Sequence, residues 1–205
     1  MLKIGPSNEN EIILAFLQAE IDSPRFKNYI ENPISKLAIH GFDRGSLIDT
    51  PDLNNELHNS IRASLLNFRG YGDKTGLFQG WPKDIVYEHI EIEPREFGIL
   101  KYMVYDKFLT ITQGTRLVID GVKNLDIIDV ISDDGDNFNN HVNEIVTDMK
   151  KGKSYPEIIG IQAIDKNIIL VEGHTRVTAH MVAHPDKNIK MILGTSPEVS
   201  KWYFY

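Results

Sequence analysis

Apolar and polar positions divide the chain into two regimes. Through roughly the first half the spacing is helical. Ile12, Ile13, Phe16, Leu17 and Ile21 recur with the period of an amphipathic helix, and Ser23-Pro24 breaks it. A second helix is predicted from about Leu53 through Leu57, Ile61, Leu65 and Leu66, ending at the glycine-rich Phe68-Arg69-Gly70-Tyr71-Gly72. Gly76 to Pro82, carrying Trp81, reads as a loop. A third helix is predicted to open at Pro94, with proline in its first turn, and to run through Phe97, Leu100 and Tyr105.

Beyond about residue 105 the pattern sharpens. Leu125, Ile127, Ile128, Val130 and Ile131 form a short apolar run that predicts a buried strand, followed by the loop Asp133-Asp134-Gly135-Asp136-Asn137. Phe138, Val142, Ile145, Val146 and Met149 then trace one face of a helix that Gly152 can end. Ile158 to Ile164 and Ile168 to Val171 are β-rich and separated by Asp165-Lys166-Asn167, a hairpin signal. A helix from about Thr175 to Ala183, a strand from Ile189 to Leu193, and a short helix opened by Thr195-Ser196-Pro197-Glu198 complete the series.

Composition bounds this picture. The 205 residues are 41% hydrophobic and 25% charged, enough for a packed core in one largish domain or a compact domain with an extension. The change of pattern near residue 105 suggests a helical region 1–104 and a second unit 105–205. A formal net charge of -7 argues against a nucleic-acid partner bound through its backbone, because such binding needs a concentrated Lys/Arg surface. The absence of cysteine removes disulfides, thiolate metal sites and a cysteine nucleophile. No secretory leader or membrane span is legible, so a cytoplasmic chain with no membrane partner is expected.

Chemistry concentrates where Ile168–Val171 passes through Glu172-Gly173-His174-Thr175-Arg176 into the next helix. A glycine at a strand exit lets backbone approach a ligand, and the helix start offers unpaired N–H groups and the positive end of a dipole. Arg176 adds a fork for phosphate oxygens, Thr175 and Thr178 add hydroxyls, and His174 adds a group that titrates near neutrality. The same residues equally suit a plain cap, with Arg176 paired to a surface carboxylate.

The stretch IILVEGHTRVTAHMVA resembles the signature box of the ParB/sulfiredoxin-like superfamily, in which a strand leads into a Gly-x-x-Arg turn and a helix. The resemblance covers roughly residues 105–195 and implies that Gly173, His174 and Arg176 bind nucleoside triphosphate phosphates, ATP or CTP with Mg2+. It implies an α+β fold, a helical amino-terminal half packed on a small mixed sheet of ParB/sulfiredoxin-like type. Family members include nucleases and free-serine kinases with a similar Gly-His-His-Arg turn. Sulfiredoxin chemistry is excluded, since Thr175 stands at the place of its cysteine. Partition proteins have a second arginine at that place and a helix-turn-helix after the box, so partitioning is not expected.

A triphosphate carries more charge than one arginine offsets, so Arg116, in a Gly-Thr-Arg echo of the box, and Arg69 are candidates to complete the site. Either also suits an ordinary surface position. Glu172 and His174 are the candidate catalytic residues, Glu172 being placed to meet a magnesium ion or a substrate hydroxyl. Arg176→Ala is expected to abolish nucleotide binding and leave the fold intact.

His180 and His184 stand one helical turn apart, but no third ligand accompanies them and no metal site is assigned. Glu88, Glu91, Glu93 and Glu96 suit a solvated face. Trp202, Tyr203, Phe204 and Tyr205 suit a core or a self-association surface, the latter allowing a homodimer. The preferred reading is a nucleotide-binding phosphotransferase or hydrolase. A non-catalytic interaction protein that retains the fold comes next, and a nuclease third.

Overall fold

A computed structural model describes residues 1–131, 135, 137–163 and 167–205. The acidic loop residues Asp133, Asp134 and Asp136, and the turn residues Asp165 and Lys166, lie outside the described residues. The architecture is mixed α/β, built on one six-stranded sheet in the order β1-β2-β6-β4-β5-β3. The strands are β1 (Leu2–Ser7), β2 (Val86–Ile92), β3 (Leu100–Lys101), β4 (Ile158–Gln162), β5 (Ile168–Glu172) and β6 (Ile189–Thr195). β1–β2, β2–β6 and β4–β5 pair antiparallel, whereas β4–β6 and β3–β5 pair parallel. Strands from before and after residue 105 therefore share one sheet.

The central strands are mostly apolar because both of their faces are largely covered. Ile159, Ile161, Ile169, Val171 and Ile192 pack on one side against α1 (Glu9–Glu20), α2 (Lys27–Leu37) and α3 (Glu56–Leu65), with Phe78, Trp81 and Trp202. Ile158, Ile168, Leu170, Ile189, Met191 and Leu193 face the other side. There they meet side chains of α4 (Asp106–Ile111), α5 (Val118–Asn124), α6 (Phe138–Lys150) and α7 (His174–Ala183). The alternation within β4, β5 and β6 divides each strand between two cores.

The helix predicted from Phe138 and the strands at 158, 168 and 189 appear close to their expected bounds. Four expectations are corrected. Leu125–Ile131 is not a buried strand. The side-chain amide of Asn139 donates to Leu125 O (2.6 Å) and Ile128 O (2.7 Å), and its oxygen accepts from Val130 N (3.1 Å). These bonds satisfy the segment as an irregular run, and Ile127 and Ile131 stay exposed. The helix expected from Pro94 shrinks to a 3-10 turn, Pro94–Ile99, because Leu100 and Lys101 are drawn into pairing with Ile168 and Ile169.

The first half is less helical than expected. β1 and β2 occupy one side of the sheet, and along β2 Glu91 stands on the face opposite the buried Ile90 and Ile92, whereas Glu88 shares their face nearer the start of the strand. Thr195 ends β6, leaving only the 3-10 turn Val199–Lys201. Trp202 turns inward, its indole N–H donating to Leu77 O at 2.7 Å.

Candidate functional site

β5 delivers Glu172 to the end of the sheet, and Gly173 turns the chain into α7 with φ +94°, a conformation that a side chain would strain. A Cβ at Gly173 would also stand 3.0 Å from Ile158 and 3.3 Å from the Arg176 guanidinium. No side chain caps α7, so its first turn keeps unpaired donors and the positive end of the dipole. The strand, turn and first-turn arginine expected from the box are present.

The side chains point elsewhere than the sequence suggested. The Arg176 guanidinium is buried, donating to Pro156 O, to Glu157 O (3.4 Å) and to the Glu172 carboxylate (3.2 Å). It therefore holds the approach to β4 against the turn, so Arg176→Ala is expected to cost stability as well as any ligand contact. His174 is buried too, with Nε2 3.1 Å from Leu170 O and its ring stacked 4.6 Å from Phe108. Burial pushes its pKa down to about 4 against the opposing pull of Glu172, so the imidazole is neutral and Nε2 carries the proton donated to Leu170. Thr178 lies fully buried, donating to His174 O at 2.8 Å and meeting the Tyr102 hydroxyl at 2.5 Å. Thr175 is half-buried in the first turn of α7.

Arg69 lies within electrostatic range of the turn. The 3-10 segment Leu66–Arg69 closes at Gly70, φ +87°, where a Cβ would collide with Thr75 O at 2.1 Å. Arg69 thereby lies over the Phe26 ring at 4.5 Å and within electrostatic range of Glu172 and His174. Arg116 is used elsewhere: its Nε donates to Tyr102 O (2.9 Å) and its Nη1 to Tyr205 O (3.1 Å).

Two participants were missed from sequence. Glu20, the last residue of α1, is 2% exposed, and its Oε1 lies 3.1 Å from Arg69 Nε. The contact is close but misaligned: among the described residues neither Glu20 oxygen nor Arg69 Nε has a hydrogen-bond partner. Burial raises the Glu20 carboxyl to about 8, with Glu172 adding to the rise and Arg69, Arg25 and Arg176 opposing it. Glu172 goes the other way. Burial alone would raise it, but Arg176, Arg69 and the Gly173 N–H hold it below the usual carboxylate value. Lys107 is the second omission, its charge felt by His174 and its Nζ 5.3 Å from the Phe108 ring centroid. Glu20 was discoverable, since it falls on the apolar stripe of α1 with Phe16 and Leu17. Lys107 left no signal in the sequence.

Elsewhere, His180 Nε2 contacts Lys187 O at 3.1 Å, and the His180 and His184 rings lie 5.7 Å apart. Among the described residues no group of three His, Asp or Glu side chains could hold a metal, and no helix is long and apolar enough to cross a membrane. A surface hollow of about 320 Å³ lies among Tyr71, Lys74, Phe78, Trp81 and Lys83, away from the turn.

No family model, curated protein or solved structure matches this chain.

Proposed function

We propose that the chain binds the phosphates of a nucleoside triphosphate, ATP or CTP with Mg2+, at the turn between β5 and α7. We also read residues 105–205 as ParB/sulfiredoxin-like. One observation carries the reading. Arg69, far from the box in sequence, lies within electrostatic range of Glu172 and His174, which flank the uncapped start of α7. Open amides, a dipole and converging cations are what a polyphosphate requires. In this reading the His174–Arg176 amides and the Thr175 hydroxyl meet the phosphates, and Arg69 supplies the cation. Arg176 keeps the turn in shape through Pro156, Glu157 and Glu172.

Neutral His174 offers no charge of its own, and the ionised Glu172 is suited to orient a substrate hydroxyl. Magnesium would ride on the phosphate oxygens. The cytoplasm, where these nucleotides and magnesium meet, is the compartment that fits.

The test is a thermal-shift screen of nucleotides with and without magnesium, followed by calorimetric titration of wild type and Arg69→Ala. A ligand selective for the folded state raises the midpoint by mass action. Loss of a charge-assisted contact at Arg69 is expected to cost roughly 1.5–3 kcal/mol, about 10- to 150-fold in affinity. A second reading, an interaction protein that keeps the turn as structure, draws on the inward orientation of His174, Arg176 and Thr178. It prevails should wild type bind neither ATP nor CTP at millimolar concentration.

A further inference from the structure

We infer that the Glu20 carboxylate is a built-in competitor for the phosphate seat on Arg69, so that an arriving polyphosphate must find Glu20 protonated or displace it. The inference rests on the phosphate-site reading above and adds its regulation. It starts from geometry. Every other buried side chain of α1 is apolar: Ile12, Ile13, Ala15, Phe16 and Leu17. Glu20 breaks that stripe at the C-terminal end of the helix, where the dipole disfavours negative charge.

A carboxylate buried there as a structural partner for Arg69 would be aligned with it. An aligned pair does occur at the surface: Arg44 grips Asp22 with both terminal nitrogens, at 2.8 and 3.1 Å. Glu20 instead stands 3.1 Å from Arg69 Nε with both oxygens buried and without a hydrogen bond. Leaving such groups unpaired is costly, and a ligand that takes over Arg69 while Glu20 holds a proton relieves the cost. The seat is within reach of solvent, because the Arg69 and Glu172 side chains remain 18% and 20% exposed.

The charges facing Glu20 are Arg69 after α3, Arg25 between α1 and α2, Glu172 at the end of β5 and Arg176 in α7. With Glu20 neutral, three arginines face one carboxylate, a setting that attracts an anion. With Glu20 ionised, the balance moves toward repulsion. Burial holds the proton on Glu20 up to about pH 8, so the seat is open below that value and closes above it.

ATP without magnesium is the probe, since its single terminal phosphate loses its last proton near roughly pH 6–7 and its own titration adds little above pH 7.5. Calorimetric titrations at pH 7.5, 8.5 and 9.5 would compare wild type with Glu20→Gln. Wild-type affinity is expected to fall by up to about tenfold per pH unit above 8. Glu20→Gln should bind equally at all three values, and at least as tightly as wild type at pH 7.5. Should Glu20→Gln not fold, Glu20→Met, suited to the apolar stripe, takes its place. A variant that loses affinity in parallel with wild type, or a flat wild-type profile, overturns the inference and leaves the phosphate site standing. Absence of binding by both proteins at every pH overturns the phosphate site and the inference with it.

Discussion

Arg62 and Arg69 come from one short stretch of chain, yet they meet opposite surroundings. Arg62 is fully buried and donates only to neutral oxygens: Leu47 O and Asp52 O, each at 3.1 Å, and the Asn59 side chain. None of those acceptors titrates, so the contact is a permanent fastening of the 47–52 segment to α3. Arg69 faces a buried carboxylate that it does not hydrogen-bond, and that carboxylate changes charge near pH 8. Burial of an arginine therefore says little about its use until the chemistry of its acceptor is known.

The contrast is sharpest in Arg62→Met. The buried Leu47 carbonyl and the part-buried Asp52 carbonyl lose a charged donor, so unfolding by denaturant should show a loss of roughly 3–5 kcal/mol. The loss should be the same at pH 6 and pH 9; a strong pH dependence would erase the distinction between the two arginines. Arg176→Ala comes next, at about 2–3 kcal/mol by the same measurement, because Pro156 O and Glu157 O also lose their donor.

Glu20→Gln has an effect that depends on pH. The folded carboxyl keeps its proton to about pH 8, whereas the unfolded chain releases it near the ordinary 4.5. Folding takes up a proton between those values, so wild-type stability is greatest below 4.5 and falls as pH rises to 8. The advantage of the variant should grow by at most about 1.4 kcal/mol per pH unit over that window. Parallel stability curves would show that Glu20 does not titrate there. The smallest effect is expected from a chelator. Treatment with it should leave the melting temperature unchanged, and elemental analysis finding one zinc per chain would reassign His180 and His184.

Sequence patterning read well wherever one helix face or a doubly covered strand repeated cleanly, as in Phe138 to Met149 and in β4, β5 and β6. It failed where one side chain replaced a ladder. Asn139 satisfies the backbone of 125–131, and no periodicity encodes that. β1 was hidden by its exposure and by Pro6, tolerable only because the strand lies at the sheet edge. At the turn, Gly173 and Arg176 were legible as a local motif, and Arg69 as a candidate to complete a triphosphate site. The direction of the Arg176 fork was not, since it depends on carbonyls brought by a distant loop. Glu20 could have been found by asking why an acid interrupts an apolar face.

The pairing of β2 with β6 also sets a timetable for synthesis. β4 and β5 are close in sequence and can zip early, but Val86–Ile92 must wait until Ile189–Thr195 has left the ribosome. Contacts of such long sequence separation form late and slowly. Until then Ile90 and Ile92 lack their cover, and a stalled chain offers two open strand edges, one on β2 and one on β4, to any neighbour. Slow codons placed between β2 and β6 should therefore increase aggregation of the nascent chain, whereas slow codons before residue 86 should not.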